Sequence, residues 1–421
     1  TYFSDRVVPM LPEDLSNGLC SLKPHEDRAC MAFHLCIDKD GNLTSQKVVR
    51  ALMNSAARLT YDQVQAAKDG APDATTKLLM DNVINPLYAA FKVLRQARDK
   101  RGAMNLDMPE YKAEVNDKGE VTKLEKATRP ESCKVIEEFM VLANVAAATT
   151  LESKGAPCVY RVHDTPPDAS IDNLRDYVSA FGLTLPAGEI KSPADFKEVL
   201  EKASQIPNGH LVIKAILRAQ AKAAYDTNNI GHFGLALEKY AHFTSPIRRY
   251  ADLLVHRSLT DVFNMGQGAL DTAQKAQMQD MTLHISKTEN LSAKAERSAR
   301  DRFAAKYLSK HLGEEFTGSI TGVTKAGLFI RLKKKGADGL LPISNLPPDY
   351  YDLDNDQYTL TGRKSGRVYR IGATITVSLK EADELSGSVL LAAANDNGAD
   401  IPGVQFKKRA KKPADSRGPQ Q

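Results

Sequence analysis

Apolar and polar residues alternate differently in three parts of this chain. Short stretches of period-two alternation predict two early β-hairpins, at residues 32–51 around Asp40-Gly41-Asn42 and at 111–126 around Asp117-Lys118-Gly119. Apolar residues at helical spacing predict helices at about 60–68, 75–99, 134–153, 171–181, 193–204, 211–225, 246–265 and 273–311. Because strands come first, helices follow and strands return at the end, the order predicts an α+β protein with separate domains.

Residues 314–394 have the pattern of a small β-barrel, with short alternating strands separated by glycines. In the strand at 327–333 the alternation puts two sets of side chains on opposite faces, Leu328, Ile330 and Leu332 inward and Phe329, Arg331 and Lys333 outward. An exposed aromatic ring between cations suits single-stranded nucleic acid, because the ring can stack on any base while the cations follow the backbone. An incidental exposed Phe on an ordinary barrel explains this strand equally well.

The overall charge permits nucleic-acid binding without requiring it, since 57 Lys and Arg stand against 52 Asp and Glu, a net +5. The basic residues concentrate near the C-terminus, where Asp415 is accompanied by Lys407, Lys408, Arg409, Lys411, Lys412 and Arg417. This composition predicts a basic disordered tail at 396–421. Such a tail either solubilises the protein or contacts RNA.

The cysteines indicate a reducing environment. There are five of them, an odd number with no C-x-x-C pair, which argues against a disulfide framework and against a structural zinc site. The chain also has no apolar run long enough to span a bilayer and no pattern of a secretory signal. We therefore expect a cytoplasmic protein that does not associate with membranes.

The segment 242–252 (HFTSPIRRYAD) carries the most specific chemical signal. Thr244 or Ser245 can cap a helix and Pro246 suits its first position, so the sequence predicts a helix that begins here. Arg248 and Arg249 then lie in the first turn, where the helix dipole is already positive, and an anion such as a nucleic-acid phosphate would stabilise them. The alternative is a solvated arginine pair whose charge is balanced by Asp252.

Several segments together resemble the ribonuclease R branch of the ribonuclease II (RNB) exoribonuclease family. They are 2–12 (YFSDRVVPMLP), 15–22 (LSNGLCSL), 101–103 (RGA) and 243–252 (FTSPIRRYAD), in the family's order and spacing. The final barrel resembles the OB-fold module that closes those enzymes, notably at 339–344 (GLLPIS) and 349–351 (DYY). The resemblance covers nearly the whole chain up to about residue 394.

The resemblance implies three parts: a mixed helical and sheet RNB catalytic domain at 1–311, truncated at its N-terminus; a five-stranded OB-fold RNA-binding domain of the ribosomal S-one type at 312–395; and the tail at 396–421. It also implies processive 3′-to-5′ removal of nucleoside 5′-monophosphates from single-stranded RNA, with Mg²⁺ activating water and holding the scissile phosphate. We further expect a monomer.

The resemblance assigns two residues to the chemistry. Arg248 matches the family arginine that contacts the phosphate, where a fixed cation stabilises charge that develops in the transition state. Glu296 matches an acidic residue near the same centre, although the sequence alone suggests an exposed glutamate on a long charged helix.

Four further residues are assigned to RNA binding. Tyr2 corresponds to the aromatic residue that stacks on a base near the 3′ end and helps to set the shortest product. Tyr61 and Glu138 occupy positions that the family associates with recognition of the ribose. Arg249 is expected to support the fold or the RNA backbone. Without the resemblance, each would be an ordinary packed or surface residue.

The metal site is where this sequence departs from the family. The family's closely spaced aspartates lie before the position of Tyr2, so we expect no metal ligands in this chain and expect it to be the C-terminal portion of a longer enzyme. The densest acidic run, Asp349, Asp352, Asp354 and Asp356, has the wrong place and spacing and predicts a solvated loop. This chain alone is therefore expected to bind RNA with little turnover. The alternative function is a non-catalytic RNA-binding module.

Overall fold

The computed structural model describes residues 1–104, 106, 110–206, 208–354, 358–394 and 405–406. Its α-helices are α1 Tyr61–Lys68, α2 Ala74–Leu79, α3 Asn85–Arg101, α4 Glu131–Ser153, α5 Asp168–Ser179, α6 Lys197–Gln205, α7 His210–Ala219, α8 Tyr250–Val262, α9 Thr272–Ala276 and α10 Met278–Leu308. Its strands up to α8 are β1 Asp27–Ile37, β2 Leu43–Asn54, β3 Tyr111–Val115, β4 Val121–Lys126, β5 Tyr160–Val162 and β6 Ala224–Asp226. The later strands are β7 Glu315–Thr324, β8 Gly327–Leu332, β9 Asp338–Pro342, β10 Tyr351–Asp354, β11 Thr359–Gly362, β12 Arg367–Arg370, β13 Thr374–Asp383, β14 Ser388–Ala393 and β15 Gln405–Phe406.

Both predicted hairpins are present. Strands β1 and β2 pair antiparallel, as do β3 and β4. In the first hairpin Gly41 has a φ of +82°, which an L-residue with a Cβ rarely adopts, and its turn comes within contact of α3. The loop chemistry therefore fixes the position of this hairpin.

The helix predicted at 211–225 is wrong at its end. Helix α7 stops at Ala219, and β6 follows and pairs with β5 in the register Tyr160↔Asp226. The Ala-rich sequence after α7 favours a helix, but Tyr225 is drawn into the core, where its ring is only 3% exposed. Tertiary packing outweighs local helix propensity here.

The largest core lies between α4, α8 and the β5–β6 pair. Phe243 lies within it, with its ring edge-to-face to Phe33 of β1 at 4.9 Å and stacked on His256 of α8 at 4.4 Å. The segment that follows Phe243 is therefore anchored at its start by a buried aromatic residue.

The predicted five-stranded barrel is confirmed. Its closed strand order is β13-β14-β9-β8-β7, with β9 parallel to β14 and the other pairs antiparallel. Leu328, Ile330 and Leu332 are fully buried in its core, whereas Phe329 is 45% exposed. The alternation in the sequence therefore assigned both faces of β8 correctly.

A second sheet stands beside the barrel and was not predicted. Its order is β10-β11-β12-β15. Strand β10 contains part of the acidic run that predicted a loop, so that prediction is wrong for Tyr351–Asp354; Asp356 lies outside the described residues. Asp352 is paired with Arg363 across the hairpin, Nη2 to Oδ1 at 2.7 Å, and this cross-strand pair favours a strand. Of the predicted tail, the structure describes only the two residues of β15, which pair with β12.

Helix α10 connects the two halves of the molecule. Near its start Ser286 Oγ accepts a hydrogen bond of 2.9 Å from the Tyr225 amide of β6. At its end Ala305 and Leu308 are buried in the barrel core, and Tyr307 packs on the β3–β4 hairpin. A second link runs from Asn208, before α7, whose Oδ1 accepts from Ser319 Oγ of β7 at 3.0 Å. None of the helices in the described ranges has the length and apolar character needed to cross a bilayer.

Candidate functional site

The loop before α8 does not form the predicted first turn of a helix. Helix α8 begins at Tyr250, not at Pro246, and Arg249 before it has an extended backbone with φ −135° and ψ 117°. Ser245 O accepts hydrogen bonds from the amides of Arg248 and Arg249, at 3.3 and 3.1 Å, which closes a tight turn. The predicted cap Thr244 does not cap; its hydroxyl is buried and has no hydrogen-bond partner among the described residues.

Asp252 explains this geometry. Its fully buried carboxylate accepts from the Ser245 amide at 2.7 Å and from Arg249 Nε and Nη2 at 2.7 and 2.8 Å. Since one carboxylate holds both the turn and the arginine side chain, the backbone between them is pulled out of the helix. The alternative of a charge balanced by Asp252 thus describes Arg249, whose guanidinium stabilises the loop.

Arg248 is different. Its side chain is exposed, and in the described part of the chain it forms no hydrogen bond or ion pair. Burial lowers the pKa of the His242 imidazole, and the charge of Arg248 adds slightly to that shift. Arg248 is therefore a free cation on a rigid turn, which is the arrangement that an anion needs.

A row of aromatic rings runs from this turn into the protein. Ring centroids are 5.6 Å apart for His242 and Tyr240, 5.3 Å for Tyr240 and His232, and 5.0 Å for His232 and His163. Burial lowers the pKa of His232 to about 3, and burial together with Arg249 and Arg161 lowers that of His242 further. Burial also lowers the pKa of His163. The histidines of this row are thus neutral at pH 7.

Polar contacts hold the row in place. Tyr225 OH lies 2.8 Å from His242 Nδ1, and the Arg161 guanidinium lies 4.6 Å above the Tyr225 ring. Arg161 in turn binds both oxygens of Glu289 on α10, at 2.6 and 3.1 Å. On the other side, Asn144 of α4 donates to Tyr240 OH at 3.0 Å. The row is therefore fixed to α10 and to α4.

A cavity of about 400 Å³ lies at the inner end of the row, next to His163 and His232. Its charged lining consists of Arg95, Arg98, Arg129, Lys134, Glu137 and Glu138. The predicted ribose-binding residue Glu138 is 5% exposed, and its Oε1 accepts from Arg98 Nη1 at 3.1 Å. Burial raises the pKa of Glu138 while Arg98 opposes the shift. Glu138 is thus partly committed to Arg98, and Glu137 beside it, although 39% exposed, accepts a hydrogen bond from Arg129 Nη2.

Tyr2 and Glu296 meet at the surface of α10. The Tyr2 amide donates to Glu296 Oε1 at 2.8 Å, and Thr1 Oγ1 lies 2.9 Å from Ser292 Oγ. The ring of Tyr2 remains 51% exposed. Glu296 lies two helical turns after Glu289 on α10, so the same helix holds this pair and, through Arg161, the aromatic row.

The other predicted RNA-binding residues lie at separate places. Tyr61 is the first residue of α1, half exposed, and its carbonyl accepts from Ser132 Oγ of α4 at 2.8 Å. On the barrel, Phe329 is exposed, but Arg331 binds Asp338 with Nε to Oδ1 at 2.7 Å. Lys333 Nζ donates to Thr374 Oγ1 at 2.9 Å, so both cations beside Phe329 already have partners.

The described residues do not fit a magnesium site. No group of three or more His, Cys, Asp or Glu that could hold a metal ion occurs among them. Asp252 and Glu296 are also engaged, Asp252 by Arg249 and Glu296 by the Tyr2 amide.

Sequence reasoning found Arg248 but missed the aromatic row, Arg161 and Glu289. These residues come from distant parts of the chain and meet only in the fold. The available signal was local: His232 and His242 each stand directly before a Phe, at 232–233 and 242–243.

Comparison with known proteins identifies the family. Residues 1–264 match the RNB domain, and residues 310–392 match the S1 RNA binding domain. Ribonuclease R of Vibrio parahaemolyticus is 38% identical over 388 residues, which are 90% of this chain and 46% of that protein. Ribonuclease R of Escherichia coli is 37% identical over 388 residues, 90% of this chain and 48% of that protein. The chain therefore spans about half the length of these relatives.

Solved structures agree. The apo form of Mycoplasma genitalium RNase R superposes with a TM-score of 0.84 at 29% identity, covering 92% of this chain and 61% of that one. The same enzyme in complex with ribose methylated single-stranded RNA gives a TM-score of 0.85 at the same coverage. The match to the RNB domain covers more than half of this chain, and this chain therefore belongs to the RNB family.

Proposed function

We propose that this chain is the RNA-holding part of a 3′-to-5′ exoribonuclease that hydrolyses single-stranded RNA, and RNA with a 3′ overhang, to nucleoside 5′-monophosphates. The observation that carries the proposal is Arg248, an exposed guanidinium without a partner in the described residues, on a turn that buried Asp252 holds rigid. Such a cation stabilises a phosphate best because little reorganises when the anion binds.

The other predicted site residues have supporting roles in this proposal. Tyr2, with its exposed ring and anchored backbone, stacks on a base near the 3′ end while Glu296 fixes its position. Tyr61 and Glu138 contact the ribose, and Arg249 supports the turn. Phe329, with Arg331 and Lys333 beside it on the barrel, provides a stacking position further along the bound RNA.

Mg²⁺ is proposed for the intact enzyme only. A bound divalent ion there would activate water and hold the scissile phosphate. Since the described residues of this chain do not fit such a site, we place its ligands in the part of the relatives' length that this chain does not span. No step of the chemistry is assigned to the metal on this chain's residues.

The second candidate function is a non-catalytic RNA-binding module. The placement of the metal ligands outside this chain favours it, because the contacts proposed in this chain bind and orient RNA and none of them activates water. For this chain alone we expect RNA binding with little turnover.

Degradation of labelled RNA distinguishes the two functions. This chain and a version extended upstream by its native residues are incubated with 5′-labelled single-stranded RNA and Mg²⁺. Shortening to a small limit product by the extended version alone supports the exoribonuclease. Binding without shortening by both supports the binding module.

Arg248→Gln tests the phosphate contact directly. Removing one cation that neutralises a phosphate should weaken binding and reduce the slope of log K against log salt by about 0.7 on single strands. Arg363→Gln is the control, since that guanidinium is exposed directly after β11 and is bound to Asp352 of β10. Equal effects of both variants would contradict the assignment.

Three further proposals, on domain bounds, oligomeric state and cellular location, accompany this function. The catalytic part comprises 1–311, the RNA-binding barrel 312–395 and the basic tail 396–421. The protein acts as a monomer, and it acts in the cytoplasm, consistent with five free cysteines.

A further inference from the structure

A second cavity, of about 290 Å³, lies between the helical part of the molecule and the barrel. Helices α5 and α7 line one side of it, and the other side is formed by Thr321 of β7 and by Tyr358, directly before β11. It shares no lining residue with the 400 Å³ cavity next to His163. A ligand in this second cavity would therefore contact both parts of the molecule and leave the turn that carries Arg248 free.

Two cations of α7 line this cavity. Lys214 and Arg218 are four residues apart, so they are neighbours on one face of the helix. Within the part of the chain that the structure describes, neither side chain forms a hydrogen bond or an ion pair. The described lining also contains no Asp or Glu. Because like charges one turn apart destabilise a helix, an anion in the cavity would stabilise both cations.

The surroundings of Lys214 leave its charge poorly compensated. Burial lowers the pKa of Lys214, and Asp338 opposes this shift. The charges of three neighbouring guanidinium groups add to it, those of Arg331, Arg218 and Arg300. Asp338 is itself bound by Arg331, with Nε 2.7 Å from Oδ1. The acid whose charge reaches Lys214 is thus already committed to another cation.

An aromatic ring lies in the same lining. Tyr177 of α5 meets the Tyr358 ring edge to face, with 5.2 Å between the centroids, and Phe181 supports it from the other end at 5.5 Å. The charge of Arg218 reaches the Tyr177 hydroxyl, because it opposes the rise in pKa that burial causes there. One small ligand can therefore place a nucleobase against the ring and a phosphate on the cations.

The charge and the size of the cavity indicate a single nucleotide. A phosphomonoester carries close to two negative charges at pH 7, whereas each phosphodiester of a strand carries one. Two unpaired cations in a described lining without acids match the monoester. The volume of about 290 Å³ is at the lower end for ligand pockets and suits one small molecule.

We propose that this cavity binds a free nucleoside monophosphate, with its phosphate on Lys214 and Arg218 and its base against Tyr177. Because the walls come from α5 and α7 on one side and from the barrel on the other, the bound nucleotide fixes the barrel against the helical part. This inference does not rest on the proposed function, in which Lys214, Arg218 and Tyr177 have no role.

Isothermal titration calorimetry of the full 421-residue chain with adenosine 5′-monophosphate (AMP) tests the site. We expect one site per chain that binds AMP more tightly than adenosine or inorganic phosphate. Lys214→Gln and Arg218→Gln should each weaken binding by about tenfold to hundredfold, as expected for a charged hydrogen bond, and Lys214→Arg should retain most of it. Lys202→Gln is the matched control, because that exposed lysine of α6 lies outside the cavity and is paired with Glu198 at 2.6 Å.

The location of the bound AMP is tested by a variant of the other site. Arg248→Gln should leave AMP binding unchanged. Loss of binding in Arg248→Gln together with full binding in Lys214→Gln would overturn the proposal, because AMP would then occupy the turn before α8. Equal affinities for AMP and inorganic phosphate would also overturn it, since the cavity would then hold an adventitious ion only. None of these outcomes bears on the RNA binding expected at Arg248.

Two further measurements separate a free nucleotide from a strand and test the link to the barrel. A 10-nucleotide RNA should not displace AMP. Displacement of AMP, together with RNA binding that Lys214→Gln weakens to the same degree, would assign the cavity to a bound strand and overturn the proposal. In scanning calorimetry AMP should raise the temperature of the barrel transition in the wild type and not in Lys214→Gln. An unchanged transition in the wild type would refute the fixing of the barrel.

Discussion

The buried carboxylate of Asp252 accepts from the Ser245 amide and from two nitrogens of Arg249. In Asp252→Ala these donors lose their acceptor and a largely buried guanidinium is left unpaired. We expect the free energy of unfolding to fall by about 3–5 kcal/mol. Chemical denaturation followed by circular dichroism measures it.

Asp261 on the same helix is the matched control. It is paired with Lys275 at 2.7 Å, but its side chain is 30% exposed. Asp261→Ala should therefore change the free energy of unfolding by no more than about 1 kcal/mol. Similar losses in the two variants would show that Asp252 is not the anchor of the loop.

Tyr2 makes a separate prediction, because its backbone is held by Glu296 while its ring stays exposed. Tyr2→Ala in the upstream-extended protein should lengthen the limit product and weaken binding of short RNA by about 1–3 kcal/mol, the value of one stacked base. Gel analysis of the end products is the measurement. Tyr2→Phe keeps the ring and should behave as the wild type; a loss in that variant would assign the effect to the hydroxyl.

The sequence could suggest candidate site residues that lie within a local sequence motif. Arg248 stands in a segment with a distinctive local motif, so it could be proposed as a site residue without the fold. The surroundings of Arg248 were not visible: His242, Tyr240 and His232 meet Arg161 and Glu289 only after α10 packs against β5 and β6. Asp252 was recognised as a balancing charge, but its hold on the Ser245 amide depends on an exact loop conformation.

Strand β8 places a core residue directly beside an exposed one. Ile330 is fully buried and Phe329 is 45% exposed. Ile330→Ala should lower the free energy of unfolding of the barrel by about 2–5 kcal/mol through lost packing. Phe329→Ala should leave that free energy within about 0.5 kcal/mol and weaken RNA binding instead. Chemical denaturation and RNA-binding anisotropy of both variants test this. A loss of stability in Phe329→Ala together with a loss of RNA binding alone in Ile330→Ala would contradict the assignment of the two faces of β8.

Elements with a local signal were predictable, and elements that depend on distant partners were not. The two hairpins carry turn residues, and α1 carries a capping box of Thr60 and Gln63. Strands β5 and β6 have three residues each and are more than 60 positions apart in the sequence, so no local sequence pattern predicts them. The start of α8 was predicted too early because Pro246 suits a first helical position, while the pull of Asp252 on Arg249 is tertiary.

The histidines of the whole molecule predict its response to acid. His232 and His242 have folded-state pKa values lowered from 6.5, to about 3 for His232 and further for His242, and those of His163 and His256 are lowered too. Below pH 6.5 the unfolded chain binds protons that the folded chain does not, so stability is present above that pH and is lost as the pH falls. Between pH 7 and 5 the loss should be about 2 kcal/mol for each of His232 and His242.

The distribution of histidines supplies the control. Residues 312–421 contain none, so the transition of the barrel should not shift through this mechanism while that of the preceding part shifts. Calorimetry at pH 7 and pH 5 resolves the two, and His242→Asn should reduce the shift. A stability of residues 1–311 that is independent of pH in this range would contradict the burial of neutral imidazoles.

Helix α10 also links the position of the barrel to the position of Glu296. Its end is fixed in the barrel by Leu308, and Glu296 lies twelve residues earlier, about 18 Å along the axis at 1.5 Å per residue. A tilt of about 3° at the barrel displaces Glu296, and with it the backbone of Tyr2, by about 1 Å, a misplacement that can lower a rate by about 100-fold. In the proposed exoribonuclease, the position of the barrel would therefore control the position of Tyr2, and a substitution where Leu308 enters the barrel would slow turnover without contacting RNA.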